Sequence, residues 1–188
     1  MEAYLDNAAT TKPFPEVVTV MQETMEENYG NPSSMHQKGV DAEKYIRNAR
    51  QIIAKSLKAE EKEIIFTSGG TEANNQALIG SALANKRKGN HIITTKIEHA
   101  SVYNPLLFLE EQGFRISFIS VDANGHINVE ELMQEICEDT ILVSIMYVNN
   151  EIGTIQDIAT IGSLIKEKNK NTLFHVDAIQ AVSYTHLT

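Results

Sequence analysis

Apolar and polar positions change period along this chain, and the change divides it. From about Lys62 onward, short runs rich in Ile, Val, Phe and Thr alternate with stretches whose apolar residues recur at helical spacing. The runs predict strands over residues 63–67, 91–95, 115–120, 141–148 and 173–176. Between them, helices are expected over 72–85, 102–112, 129–138 and 158–169. The third helix has Asn128 as its N-cap, Glu131 three residues on in a capping-box pattern, and an apolar face of Val129, Leu132, Met133, Ile136 and Cys137. Asp157 caps the fourth, ahead of Ile158, Ile161, Leu164 and Ile165. Upstream, residues 16–27 and 41–57 read as two further helices joined through Gly30-Asn31-Pro32-Ser33-Ser34.

Strands alternating with helices mean βαβ units and a mostly parallel sheet. Ligands of such sheets bind beyond the carboxyl ends of the strands, and polar residues stand at four of those ends. Gly69-Gly70-Thr71 follows the first strand, Glu98-His99 the second, Asn149-Asn150-Glu151 the fourth, and Asp177 the fifth. The Ser68-Gly69-Gly70-Thr71 turn lets the backbone approach a ligand and aims the first N–H groups of a helix at it, which favours a phosphate. His99 offers a flat ring and a transferable proton, Asn150 an amide, and Gln180 reaches toward the same side of the pocket. Asp177 follows Phe174-His175-Val176, a strand expected to be buried, and a lone buried charge is expensive. A protonated ring nitrogen would pair with it and turn that ring into an electron sink. Together these positions describe a site for a phosphorylated aromatic cofactor.

Composition narrows the partners. The chain of 188 residues is long enough to bury a sizeable core. A net charge of −9 argues against nucleic acid or an anionic membrane, so a phosphate must be held by backbone amides and a few placed donors. No apolar run approaches the roughly 20 residues needed to span a bilayer. The start, Met1-Glu2-Ala3-Tyr4-Leu5-Asp6, lacks the features of a signal peptide, and the single cysteine excludes an internal disulfide framework. A cytoplasmic protein is expected. The histidines show no ligand spacing with cysteine or carboxylates, so no metal site is expected. His175 reads as a strand residue, and His36 and His126 as loop or turn residues. Cys137, on the apolar stripe of its helix, is expected to be an inert core residue. Lys96 reads as a solvated charge at a strand end.

The segments YLDNAATT (4–11), GNPSS (30–34), FTSGGTEANN (66–75), Glu98-His99, ILVSIMYVNNEIGTIQD (141–157) and HVDAIQ (175–180) resemble, in order, the NifS/IscS-type cysteine desulfurases. These are class V aminotransferases of pyridoxal-phosphate fold type I. The resemblance implies an α/β fold: a three-layer, mostly parallel sheet with helices on both faces, here an incomplete large domain. Residues 1–13 would be an N-terminal segment associated with the small domain and active site. Residues 14–181 would be the cofactor-binding large domain, and 182–188 a tail that departs from the family.

The cofactor implied is pyridoxal 5′-phosphate (PLP). Gly70 and Thr71 match positions at its phosphate, and His99 matches the histidine stacked on the ring, a candidate catalytic proton carrier. Asn150 and Gln180 match contacts around the ring hydroxyl and substrate, and Asp177 matches the partner of the pyridine nitrogen. The implied reaction converts L-cysteine to L-alanine and passes sulfur, as a persulfide on an enzyme cysteine, toward iron–sulfur clusters, thiamine or tRNA thiolation. A homodimer and a sulfur-acceptor or scaffold protein are the implied partners. In the family a Schiff-base lysine follows the Asp-x-x-Gln segment in a Ser-x-His-Lys motif, and the persulfide cysteine comes later; neither is in this sequence. The resemblance therefore implies an N-terminal fragment that is inactive alone. Two alternatives stand beside it: another class V enzyme (selenocysteine lyase or aminotransferase) and a non-catalytic PLP- or phosphate-binding module. A P-loop domain is disfavoured, because Gly69-Gly70-Thr71 lacks the Gly-Lys-Ser/Thr ending.

Overall fold

The computed structural model describes residues 3–182 and divides them into two units, one from Ala9 to Phe66 and one combining the segment through Ala8 with the chain from Thr67. The Ala9–Phe66 unit is built on α1 (Pro15–Glu26) and α2 (Gln37–Leu57). Pro15 starts α1, where its missing N–H has no intrahelical role to fill. No residue of α1 is buried, and Val17, Val18, Met21 and Met25 are exposed. Helix α2 begins ahead of the expected residue 41 because His36, expected in a loop, is its N-cap and accepts from the Gly39 N–H. The Gly30–Ser34 link is tight: a Cβ on Gly30 would stand 2.2 Å from the Lys38 carbonyl oxygen.

The strand expected over 63–67 does not form. Glu60 and Glu63 close a capping box around a 3-10 turn, Glu61–Glu63, and the extended backbone that follows from Ile64 pairs with no strand among the described residues. Ile65 stays 65% exposed. Apolar, β-branched composition favours extended backbone, but a strand needs a partner ladder.

In the second unit the order is α3 (Gly70–Asn85), β1 (His91–Thr95), α4 (Ala100–Glu111), β2 (Arg115–Ile119), α5 (Val129–Glu135), β3 (Thr140–Ser144), α6 (Ile158–Lys168), β4 (Leu173–His175) and α7 (Ile179–Val182). The strands form one parallel sheet in the order β2-β1-β3-β4. Strand periodicity places Ile92 and Leu142 in one apolar cluster with Leu78, Val102, Leu106 and Leu109 of α3 and α4. Their neighbours Ile93 and Val143 join Leu132, Ile161 and Ile165 of α5 and α6 in the other. Helices therefore cover both faces, giving the three-layer α/β architecture expected. Each fully buried Leu or Ile in these clusters stabilises the fold by about 1.5–3 kcal/mol.

Two boundaries and one capping pattern differ from the sequence reading. Helix α5 stops at Glu135, and Ile136 is extended, so Cys137 leaves the helix and is exposed rather than buried in the core. Asn128 does cap α5 by accepting from the Glu131 N–H, but the Glu131 carboxylate bonds Ser120 instead of closing a capping box. Strand β3 ends at Ser144, level with the end of β4 at His175, although Ile145 and Tyr147 still donate to the His175 and Asp177 carbonyls before the chain runs on as a loop. Asp157 caps α6 as expected, accepting from Thr160 N–H at 3.1 Å. No helix among the described residues is long and apolar enough to cross a membrane.

Candidate active site

Strand β1 continues through α4 to β2 on one side of the sheet, while β3 continues through α6 to β4 on the other. A crevice opens between chains that diverge in this way, at the carboxyl ends of β1 and β3. Asn74, Ser101, Asn149 and Asp177, all buried, stand beyond or beside those ends, while His91, Thr140 and Thr172 are buried at the opposite end of the sheet.

Asp177, two residues past β4, is 5% exposed. Its Oδ1 accepts from the Ile179 N–H at 3.0 Å, and its Oδ2 accepts from Asn74 Nδ2 at 2.9 Å. Asn74, on α3, also donates to Ser101 Oγ at 2.9 Å. The Ser101 N–H donates to His99 Nδ1 at 3.1 Å, and the Ser101 hydroxyl stands 2.8 Å from the same nitrogen. A ring nitrogen that accepts from a backbone N–H is unprotonated, so the hydroxyl also donates to it and the ring proton lies on Nε2. His99 is thus the N-cap of α4 as well as a candidate site residue. One polar chain, Asp177–Asn74–Ser101–His99, joins the ends of β1 and β4 through α3.

Gly70 and Thr71 open α3, whose first intrahelical bond runs from Ala73 N to Gly69 O. The N–H groups of Gly70, Thr71 and Glu72 precede that bond, and no side chain caps the helix. Helices α2, α4, α5 and α6 all carry side-chain caps. Glu72 holds the turn by accepting from the Ser68 N–H and hydroxyl, bonds that keep its carboxyl below the usual range. A Cβ on Gly70 would stand 2.0 Å from Ile179 Cδ1, so a larger residue there would push the Ile179 side chain aside.

The remaining predicted residues are not tied into this network. Asn150 Nδ2 donates to Glu151 Oε1 at 2.9 Å, and Gln180 Nε2 donates to Ala8 O at 3.1 Å. The neighbouring Asn149, buried, shapes the loop: it donates to Ile97 O and accepts from the Glu151 and Ile152 N–H groups. Sequence reasoning missed Asn74, Ser101 and the role of Glu98. Asn74 lies one turn inside α3 and Ser101 two residues past His99, so helical spacing from the flagged motifs was the available signal.

Cys137 sits three residues before β3, at the opposite end of the sheet. The Thr140 hydroxyl and, more weakly, Arg115 hold its thiol below the ordinary value. Its distance from the crevice, not burial, separates it from the site. Among the described residues no group of three His, Cys, Asp or Glu could hold a metal ion. The departure expected after Ala181 falls on Val182 and on residues 183–188, which lie outside the described residues.

Comparison with known proteins identifies the family and the fold. The family pattern "Aminotransferase class-V" matches residues 3–187. A "Cysteine desulfurase IscS" of Clostridium botulinum (strain Kyoto / Type A2) is 48% identical over 186 residues, covering 99% of this chain and 46% of the relative. One of Methanosarcina thermophila is 49% identical over 181 residues, covering 96% and 44%. Among solved structures, a "NIFS-LIKE PROTEIN" superposes with a TM-score of 0.93 at 42% identity, covering 96% of this chain and 50% of that one. "SspA in complex with cysteine" gives 0.88 at 38% identity, covering 95% and 51%. The chain spans about half the length of the curated relatives it matches. By sequence pattern, parallel-sheet topology and structural likeness, it belongs to the aminotransferase class-V family.

Proposed function

We propose that this chain is the cofactor-binding part of a PLP-dependent cysteine desulfurase, acting on L-cysteine within a longer protein. The observation that carries the reading is the Asp177–Asn74–Ser101–His99 chain beside an uncapped helix start. Those donors and that buried acid suit the cofactor. Backbone N–H groups at Gly70 and Thr71 would take its phosphate, and Asp177 would accept from the protonated ring nitrogen. When bound, PLP supplies the electron sink for reactions at the amino-acid carbon.

The chain's own residues supply placement and proton control. Asn74 and the Ile179 N–H each donate to one oxygen of Asp177 and hold its carboxyl in place. Ser101 locks His99 through Nδ1, leaving the Nε2 proton as the one the ring can give and retake. Asn150 and Gln180 serve the ring hydroxyl and substrate, each by exchanging its present partner, Glu151 or Ala8. Residues of the N-terminal segment belong with this site, since Ala8 already meets Gln180.

The Schiff-base lysine and persulfide cysteine of the resemblance have no counterpart in this sequence. Alone, the chain therefore holds cofactor without turnover; in the longer protein, sulfur passes to a cysteine and then to an acceptor, in a cytoplasmic homodimer. The test supplies L-cysteine and PLP to the chain and to the longer protein. The chain is expected to release no alanine above a free-PLP control, and the longer protein to release alanine with matching sulfide. A longer protein that spares cysteine and consumes another amino acid would assign a different class V activity.

A further inference from the structure

Glu98 lies next to His99 but takes no part in the polar chain described above. Its carboxyl sits between the ends of the two strands that diverge. Oε1 accepts from Thr95 Oγ1 at 2.8 Å, at the end of β1, and from the Met146 N–H at 3.0 Å, in the loop after β3. A second bond runs parallel to this one, from Asn149 Nδ2 to Ile97 O at 2.8 Å. Oε2 is buried and has no hydrogen-bond partner among the described residues. A buried carboxylate oxygen with no donor costs far more than a neutral carboxyl in the same place.

We propose that Glu98 is a positioning residue of this site: Oε1 clips the His99 turn to the Met146–Asn150 loop, and the carboxyl holds its proton on the unpartnered Oε2. The inference rests on the reading of Asp177 as partner of a ring nitrogen. A carboxyl buried beside another carboxylate is held neutral by desolvation and like charge. Burial pushes Glu98 up to about 7, and the charge of Asp177 adds to that rise. The charged group that acts on it is Asp177 beyond β4, with His99 next to it in the chain and exposed Lys96 in its own turn. The loop after β3 meets this turn through the neutral Met146 and Asn149. A charged Glu98 would compete with Asp177 for any cation brought to the crevice; a neutral one leaves the geometry and removes the competition.

The test is a carbon-13 titration of glutamate carboxyls in the 188-residue chain, with Glu98→Gln identifying the Glu98 signal. A midpoint near 7 is expected for Glu98; a midpoint near the ordinary ~4.3 would overturn the proposal. Amide exchange at Met146 tests the clip. Glu98→Gln keeps an acceptor and should stay within about threefold of wild type, whereas Glu98→Ala should exchange about tenfold faster. Equal exchange in wild type and Glu98→Ala, or an equal loss in Glu98→Gln, would overturn it. Should Glu98→Ala not fold, the wild-type titration and the Gln variant still decide. Neither readout needs PLP, so a chain that fails to bind PLP rejects the proposed function and leaves Glu98 judged on its own data.

Discussion

Asn74→Ala removes the residue on which the polar chain turns. Asn74 is 4% exposed and donates to both Asp177 Oδ2 and Ser101 Oγ. Loss of a bond to a charged acceptor costs about 1.5–3 kcal/mol and loss of a neutral one about 1 kcal/mol, so about 3 kcal/mol is expected. That should lower the unfolding temperature by about 6–12 °C in a chain of this size. The assay is urea and thermal unfolding followed by circular dichroism, with wild type alongside. Asn74→Asp sharpens it: a second carboxyl against Asp177 should destabilise more at neutral pH and recover toward acid, where one of the pair is protonated. A change below about 0.5 kcal/mol for Asn74→Ala, the size of an ordinary surface substitution, would refute the network.

Other consequences are as direct. Gly70→Ala puts a methyl into Ile179 Cδ1 and should weaken PLP binding; adding Ile179→Ala should restore it, and failure of that rescue would reject the packing account. Cys137 should react with a thiol reagent in the folded chain, and Cys137→Ser should leave PLP binding unchanged; labelling that requires denaturant would contradict its exposure. Stability against pH should show two opposed terms. His91 is fully buried and held at about 4, below its unfolded value near 6.5, so the unfolded chain protonates first and stability falls as pH drops through that window. Glu98, raised to about 7 from about 4.5, binds its proton first in the folded chain, so its contribution falls as pH rises through the overlapping window. Urea midpoints should then rise with pH in Glu98→Gln and fall with pH in His91→Gln; parallel profiles would reject both assignments.

The sheet was legible because buried parallel strands are short β-branched runs and each connecting helix carries its own period. Ile92 with Leu142 and Ile93 with Val143 sort to opposite faces as that period requires. Residues 63–67 misled because the same composition that suits a strand also suits extended chain, and pairing is not a local property. Cys137 misled because apolar spacing continued two residues past the turn at which α5 ends. Asp177 and His99 were legible from sequence just beyond β4 and β1, and the Gly70 turn at a helix start, although the strand expected before that turn does not form. Asn74, Ser101 and Glu98 were not, since their partners are distant in sequence, up to 103 residues for Asn74 and Asp177.

The central claim is that these strand ends hold PLP. Amide and side-chain NMR of the 188-residue chain during a PLP titration tests it most directly. Saturable shifts are predicted at Gly70, Thr71, His99 and Asp177, weakened in Asp177→Asn, with Cys137 unmoved. Shifts confined to other residues, or none at saturating PLP, would contradict it.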